Sequence, residues 1–326
     1  MIKNIKKKII SFYLKKNVDR IKNIKKTNNQ IITKNTKYYV ICSKKKRGFF
    51  SLLLFVLNQI KYAKIKNLIP VIDMQYYPTL YNEKKVLFGK KNSWEYYFNK
   101  INKVKIDNVY KNNNYIFCKE KNVFTQNNKF HSSLKKIFDK NIKINNNILK
   151  KYFLYKKKIF KKNDKFLGIH FRGTDMKYSP NHPLPLTRKQ VDNKIKYIMN
   201  KFNLKKIFLV TEDAKNFNFF VNNFKDYEIF FINNFRTSKT LAFDKDYREN
   251  HRYKMGEEAL INSLLLSNCN LLVSTQTGIA DFAYFINPKI KFLKINNGNN
   301  SKRIFFSLFK YHIKDFLPYA LGGFKV

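Results

Sequence analysis

Between Phe166 and Ile295 the chain alternates short apolar runs with longer amphipathic ones, and that alternation limits its fold more than any other feature. Phe166 to Phe171, Ile207 to Thr211, Glu228 to Ile232, Leu271 to Ser274 and Ile290 to Ile295 have the length and character of strands. Helices fit between them: Arg188 to Phe202 with Thr187 as N-cap, Ala214 to Phe224, Gly256 to Ser267, and Ile279 to Phe285. Strand and helix in alternation build a parallel, doubly wound sheet. A similar unit opens upstream, with a strand from Tyr38 to Cys42, a polar loop from Ser43 to Gly48, a buried helix from Phe50 to Lys66, and a second strand from Leu68 to Ile72. The pattern then loosens into aromatic and Asn/Lys-rich text, with helices expected over 133–160. The expected class is α/β, with two Rossmann-like domains at 35–160 and 161–326 whose parallel sheets face a cleft, preceded by a basic extension at 1–34. Clefts between domains are favoured ligand sites.

With 326 residues, 44% of them hydrophobic, the chain can bury cores of this size. Its formal net charge of +46 points first to nucleic acid or an anionic membrane surface. The excess is almost all Lys, however, scattered through Lys/Asn/Ile-rich text without zinc-finger spacing, an RNP-like motif or an arginine-rich tract. Nucleic-acid binding is therefore the weaker explanation. The charge would still concentrate an anionic partner such as a nucleotide sugar or an acidic phospholipid. Cys42, Cys118 and Cys269 form neither a disulfide framework nor a metal-ligand spacing, which favours a reducing compartment. No run approaches the roughly 18 to 20 apolar residues that cross a bilayer. Met1 to Lys26 lacks the apolar core and cleavage site of a secretory signal. For that segment, a basic amphipathic helix lying on a membrane and a solvated extension both stay open. The expected location is the cytoplasm, with peripheral contact to the inner membrane as an option.

The chemistry gathers where the Phe166 run ends. His170, Arg172, Thr174 and Asp175 leave a buried strand at its C-terminal end, where open α/β sheets bind ligands. Only eight of the 67 Lys+Arg residues are Arg, so an Arg at this position is there for more than charge. Its planar fork can grip two phosphate oxygens at once. The plainer alternative is an ion pair from Arg172 to Asp175. A second strand runs into Val273-Ser-Thr-Gln-Thr-Gly-Ile-Ala-Asp281, where Thr275, Thr277 and the backbone around Gly278 would seat a phosphate at a helix N-terminus. There the plainer alternative is that Thr277 caps the helix.

These segments resemble the GDP-fucose fucosyltransferases, a family that includes the α-1,6-fucosyltransferases, bacterial nodulation-factor fucosyltransferases and protein O-fucosyltransferases. His170-Phe-Arg-Gly-Thr-Asp175 is similar to the family's His-x-Arg-Arg-Thr-Asp segment, and His182-Pro183 follows it as in several relatives. Gly256 to Thr277 looks like the segment that carries a second nucleotide-sugar contact. The likeness covers roughly residues 160 to 290 in order. Gly48-Phe-Phe-Ser51 and Asn92-Ser-Trp-Glu-Tyr-Tyr-Phe98 look more loosely like N-terminal segments of bacterial members. The resemblance implies a GT-B-like fold, a GDP-sugar donor in the C-terminal half, no obligatory metal, no further cofactor, and inversion at the anomeric carbon. It implies a transferase moving fucose from GDP-fucose to a cell-envelope glycan, with a lipid-linked acceptor as an option. It further implies that Arg172 stabilises the departing diphosphate, that Thr275 and Thr277 donate to phosphate oxygens, and that His170, Thr174 and Asp175 shape the donor site.

The chain also departs from the family pattern. Gly173 stands where the family has a second Arg, leaving Lys177, Arg252 or Lys254 to supply any missing contact. Asn262 stands where the family often has an Asp for guanosine, which leaves another nucleotide sugar open as donor. Met176 to Asn181 holds no acidic residue to serve as base. His182, whose ordinary pKa suits proton transfer, is the candidate base, with Asp73 and Glu95 as N-terminal alternatives. Asp213 either contacts substrate or caps the following helix. A basic nucleic-acid-binding protein is the non-enzymatic alternative.

Overall fold

The computed structural model describes residues 35–119, 130, 132–238 and 242–325, so the basic extension at 1–34 lies outside the described residues. Its first part contains β1 (Tyr38–Ile41), α1 (Phe49–Ile65), β2 (Ile69–Ile72), α2 (Trp94–Tyr97), α3 (Ile106–Asn112), β3 (Tyr115–Phe117), α4 (Ser132–Asn141) and α5 (Asn146–Ile159). The strands form a parallel sheet in the order β2-β1-β3. β3 was not anticipated; it brings Cys118 beside Cys42, where the Cys118 thiol donates to the Cys42 carbonyl at 3.0 Å. Both thiols are free.

The second part contains β4 (Phe166–His170), α6 (Arg188–Lys201), β5 (Lys206–Val210), α7 (Ala214–Asn223), β6 (Glu228–Phe230), α8 (His251–Leu266), β7 (Leu271–Ser274), α9 (Gly278–Ile286), β8 (Lys291–Lys294) and α10 (Ile304–Phe316). Its five strands are all parallel, in the order β6-β5-β4-β7-β8. The alternation read from sequence thus corresponds to a single sheet. Thr187 caps α6 in a reciprocal box with Gln190, each satisfying the other's backbone N–H. α8 starts a turn earlier than the sequence indicates, because Asn250 enters it with φ 50, a left-handed conformation that Asn tolerates.

Helices cover both faces of the larger sheet, so every residue of β4 is buried. Leu167, Ile169 and Phe171 pack with Val191, Ile195 and Phe220 on one face. Phe166, Phe208 and Val210 pack on the other, in a core that runs without a break to Tyr39, Phe50 and Leu53 of the smaller sheet's layer. α5 packs across the two parts, where Lys151 Nζ pairs with the Glu257 carboxylate at 2.8 Å. Among the described residues no helix is long and apolar enough to cross a membrane.

Strand order decides where a ligand can enter. From β4 the chain steps outward to β5 and β6, then returns to lay β7 on the opposite side of β4. Neighbouring connections leave in opposite directions at β4/β7, and the crevice at such a switch point lies beyond the strands' carboxyl ends. His170 and Ser274 face each other there in register.

Candidate functional site

The switch point is closed from below by polar groups. His170 is fully buried, and its Nδ1 lies 2.7 Å from Thr277 Oγ1. The Ala280 N–H donates to that hydroxyl at 3.3 Å, so one side chain both caps α9 and bonds the histidine. Burial, aided by the nearby Arg172 charge, pushes the His170 pKa down to about 3, so the ring is neutral at physiological pH. Ser274 Oγ donates to the His170 carbonyl at 3.2 Å and ties β7 to β4 just below the rim.

Above this floor stands Arg172. One terminal nitrogen, Nη2, donates to both Asp175 carboxylate oxygens, at 3.1 and 3.3 Å. Nε lies 3.8 Å from Glu212 Oε1, too long for a hydrogen bond, and is buried without a hydrogen-bond partner. Burial opposes the charge, but Asp175 and Glu212 more than offset it, and the guanidinium pKa is raised. The Arg172–Asp175 ion pair is therefore present, yet the side chain stays 33% exposed and keeps donors uncommitted.

Glu212 was not singled out from the sequence. It follows β5, the neighbour of β4, and Oε1 accepts from the Gly173 N–H at 3.0 Å and the Thr174 hydroxyl at 3.2 Å. Burial raises its pKa against the opposing pull of Arg172. These bonds hold Thr174 at φ 36, a costly conformation for a β-branched residue. Asp213 caps α7, accepting from the Lys215 and Asn216 N–H groups at 2.9 and 3.1 Å, while its other oxygen accepts from the Thr174 N–H at 3.3 Å. The same carboxylate explains Gly173: a side chain there would run into Asp213.

The opposite wall comes from the first part of the chain. α1 begins at Phe49 without a side-chain cap, and α9 begins at Gly278 against it. A Cβ on Gly278 would lie 2.9 Å from the Phe50 Cβ. Two helix N-termini, each a positive dipole end, thus meet at Gly278 and Phe50, next to the Thr277 hydroxyl that lies against His170. Tyr81, packed edge-on against Phe49, is close enough for Arg172 and Asp175 to act on its phenol, although burial dominates and raises its pKa. The arrangement provides a cationic fork, helix N-termini and hydroxyls around one crevice, which suits a diphosphate.

The other candidates separate clearly. Thr275 and Thr277 are buried at the start of α9; Thr277 caps the helix, and the Thr275 hydroxyl has no hydrogen-bond partner among the described residues. Asn262 is buried in α8 with Oδ1 unpartnered. His182 is exposed, and partial burial, helped by Arg172, lowers its pKa against the pull of Asp175; the ring therefore shares the electrostatic field of the site. Asp73 closes a turn, accepting from the Gln75 and Tyr76 N–H groups and the Tyr110 hydroxyl. Glu95 lies within ion-pair range of Lys90 and Lys100, at 3.6 and 3.8 Å. Arg252 spends its donors on Asp246 and the Leu80 and Phe243 carbonyls. Lys177 Nζ lies 3.9 Å from Asp213. Among the described residues no group of three or more His, Cys, Asp or Glu side chains is gathered as a metal centre requires.

No family model matches the chain, and no curated protein matches its sequence. Solved structures match its fold. The α-1,6-fucosyltransferase NodZ co-crystallized with GDP aligns with a TM-score of 0.54 at 14% identity, over 80% of this chain and 96% of that one. NodZ soaked with GDP-fucose gives 0.52 at 15%, over 78% and 94%. The same values describe the fucosyltransferase NodZ from Bradyrhizobium. Two parallel sheets facing a cleft, with these neighbours, define a GT-B-like fold of the kind seen in GDP-fucose fucosyltransferases.

Proposed function

We propose that the chain is an inverting glycosyltransferase that moves fucose from GDP-fucose to a glycan acceptor of the cell envelope. One observation carries this reading: Arg172, held charged by Asp175 and Glu212 where β4 ends at the switch point, keeps a third of its side chain exposed, with only Nη2 committed to hydrogen bonds among the described residues. The diphosphate binds across Arg172, Thr275 and the first N–H groups of α9. As the bond from the anomeric carbon to the β-phosphate oxygen breaks, Arg172 balances the negative charge that leaves with GDP. The acceptor hydroxyl attacks from the opposite face, forming the new glycosidic bond, and its proton passes to His182. That ring is suited to accept it, because its lowered pKa keeps it neutral at pH 7. Glu212 and Asp213 position the Arg172 loop. No metal is required for this charge balance, because Arg172 and the helix ends supply it.

A second reading, transfer from another nucleotide sugar, is supported by Asn262, whose unpartnered Oδ1 is an amide oxygen rather than a carboxylate. Calorimetric titration with GDP and UDP, in wild type and Arg172→Ala, tests both readings. GDP binding that the substitution abolishes is expected, and preference for UDP would favour the second. Tight RNA binding that collapses with salt and ignores the substitution would instead identify a nucleic-acid-binding protein.

A further inference from the structure

Helix α10 turns its apolar side outward. Ile304, Phe305, Phe306, Phe309, Ile313 and Phe316 are each at least half exposed, Phe316 at 86%. Phe305, Phe309, Ile313 and Phe316 follow helical spacing and form one stripe, while Ser307 and Tyr311 on the other side are buried. Exposed Tyr319 and Leu321 extend the patch beyond the helix. Soluble surfaces seldom leave such a contiguous aromatic stripe uncovered. The inward side is fixed by hydrogen bonds: Ser307 Oγ donates to the Tyr178 carbonyl at 2.9 Å, and the Tyr311 hydroxyl to the Leu186 carbonyl at 3.3 Å. The helix cannot roll its phenylalanines inward without breaking them.

Charge identifies what covers the stripe. From Lys289 to Lys325 the sequence carries eight basic residues against the single acid Asp315, so a second copy would set two cationic rims against each other. Lys302 and Arg303 are exposed at the head of the helix. Lys310 and Lys314 flank it, with Nζ on the Asn299 and Gly322 carbonyls at 2.7 and 2.8 Å. Aromatic residues along one side with lysines at the margin match the boundary between acyl chains and anionic headgroups. We infer that α10 is an interfacial helix that docks this protein on an anionic lipid bilayer. The inference does not depend on the transferase reading. It has a structural consequence for the site, because the segment leading into α10 also holds the His182 loop: the Asn300 N–H donates to the His182 carbonyl at 2.7 Å.

The test is partition of the full chain onto vesicles containing phosphatidylglycerol, compared with vesicles of phosphatidylcholine alone. Binding to the anionic vesicles alone, weakened by salt, is expected, and Phe305→Ser/Phe309→Ser/Phe316→Ser should reduce it by roughly tenfold or more while preserving the thermal transition. Equal partition of that variant would assign binding to the general basic surface and overturn the proposal, as would no vesicle binding by wild type. Should the triple variant fail to fold, Phe309→Trp supplies a second measurement. Its emission must shift to the blue on anionic vesicles above the contribution of buried Trp94, and an unchanged spectrum overturns the proposal. A photo-crosslinker at position 309 should capture lipid; capture of another copy, or of the chain's own residues 1–34, would overturn it.

Discussion

Gly278 and Phe50 touch across the cleft so closely that a single added methyl group on Gly278 would sit 2.9 Å from the Phe50 Cβ. The Phe50 and Phe282 rings, stacked at 4.8 Å, extend the same contact into the core. Because the Phe50 Cβ is fixed to the α1 backbone, only a parting of α1 and α9 can relieve the overlap. Gly278→Ala should therefore cost about 1–3 kcal/mol in stability and weaken GDP binding with it. Thermal unfolding alongside GDP titration checks this, and an unchanged melting temperature would show that the two helices do not need this approach.

Arg172→Lys separates charge from geometry. Lysine keeps the positive charge but not the fork that holds both Asp175 oxygens while presenting a further donor. GDP affinity should fall less than in Arg172→Ala. The rate of sugar transfer should still drop by about 100-fold or more, because charge stabilisation in the transition state depends on fixed donors. Steady-state kinetics with GDP-fucose checks this, and near-normal turnover would show that charge alone suffices.

The larger sheet was legible because its strands are buried runs bounded by helix caps. Thr187 announced α6 as its N-cap, and the Leu271–Ser274 run ended at the observed residue. β3 is only Tyr115–Phe117, too short for any period, and exists because it pairs with β1. α10 has helical spacing, but its apolar side faces solvent, which no periodicity reveals. At the site, Arg172 and Thr277 stood out as strand-end residues. Glu212 did not, because the adjacent Asp213 offered a simpler role as a cap. The available signal was its position just past the strand next to β4, and recognising it required the strand order.

Glu212 ties the Gly173 N–H and the Thr174 hydroxyl to the side of Arg172, so two substitutions should separate its parts. Glu212→Ala leaves the Gly173 N–H without its acceptor, which should cost about 1–3 kcal/mol and lower kcat/KM. Glu212→Gln keeps an accepting oxygen and should recover most of the stability, but it removes the negative charge beside Arg172. The signature of a positioning residue is that Glu212→Gln restores the melting temperature while its pH–rate profile stays displaced from wild type. Identical profiles would reduce Glu212 to a structural role.

His170 makes stability depend on pH in a predictable direction. Its folded pKa is depressed to about 3 from an ordinary value of 6.5, chiefly by burial. Well above pH 6.5 the ring is neutral in both folded and unfolded chains and contributes no pH dependence. Between 6.5 and 3 the unfolded chain takes up a proton that the folded chain refuses, so stability falls as pH is lowered through this window. From pH 7 to pH 5 the loss from this residue amounts to about 2 kcal/mol. His170→Asn retains a group that can hydrogen-bond the Thr277 hydroxyl but does not titrate. Its unfolding free energy should therefore decline less steeply than that of wild type over the same range, by about that amount. Urea titrations at several pH values measure the difference, and parallel curves would mean that His170 meets the proton as readily in the folded protein as in the unfolded chain.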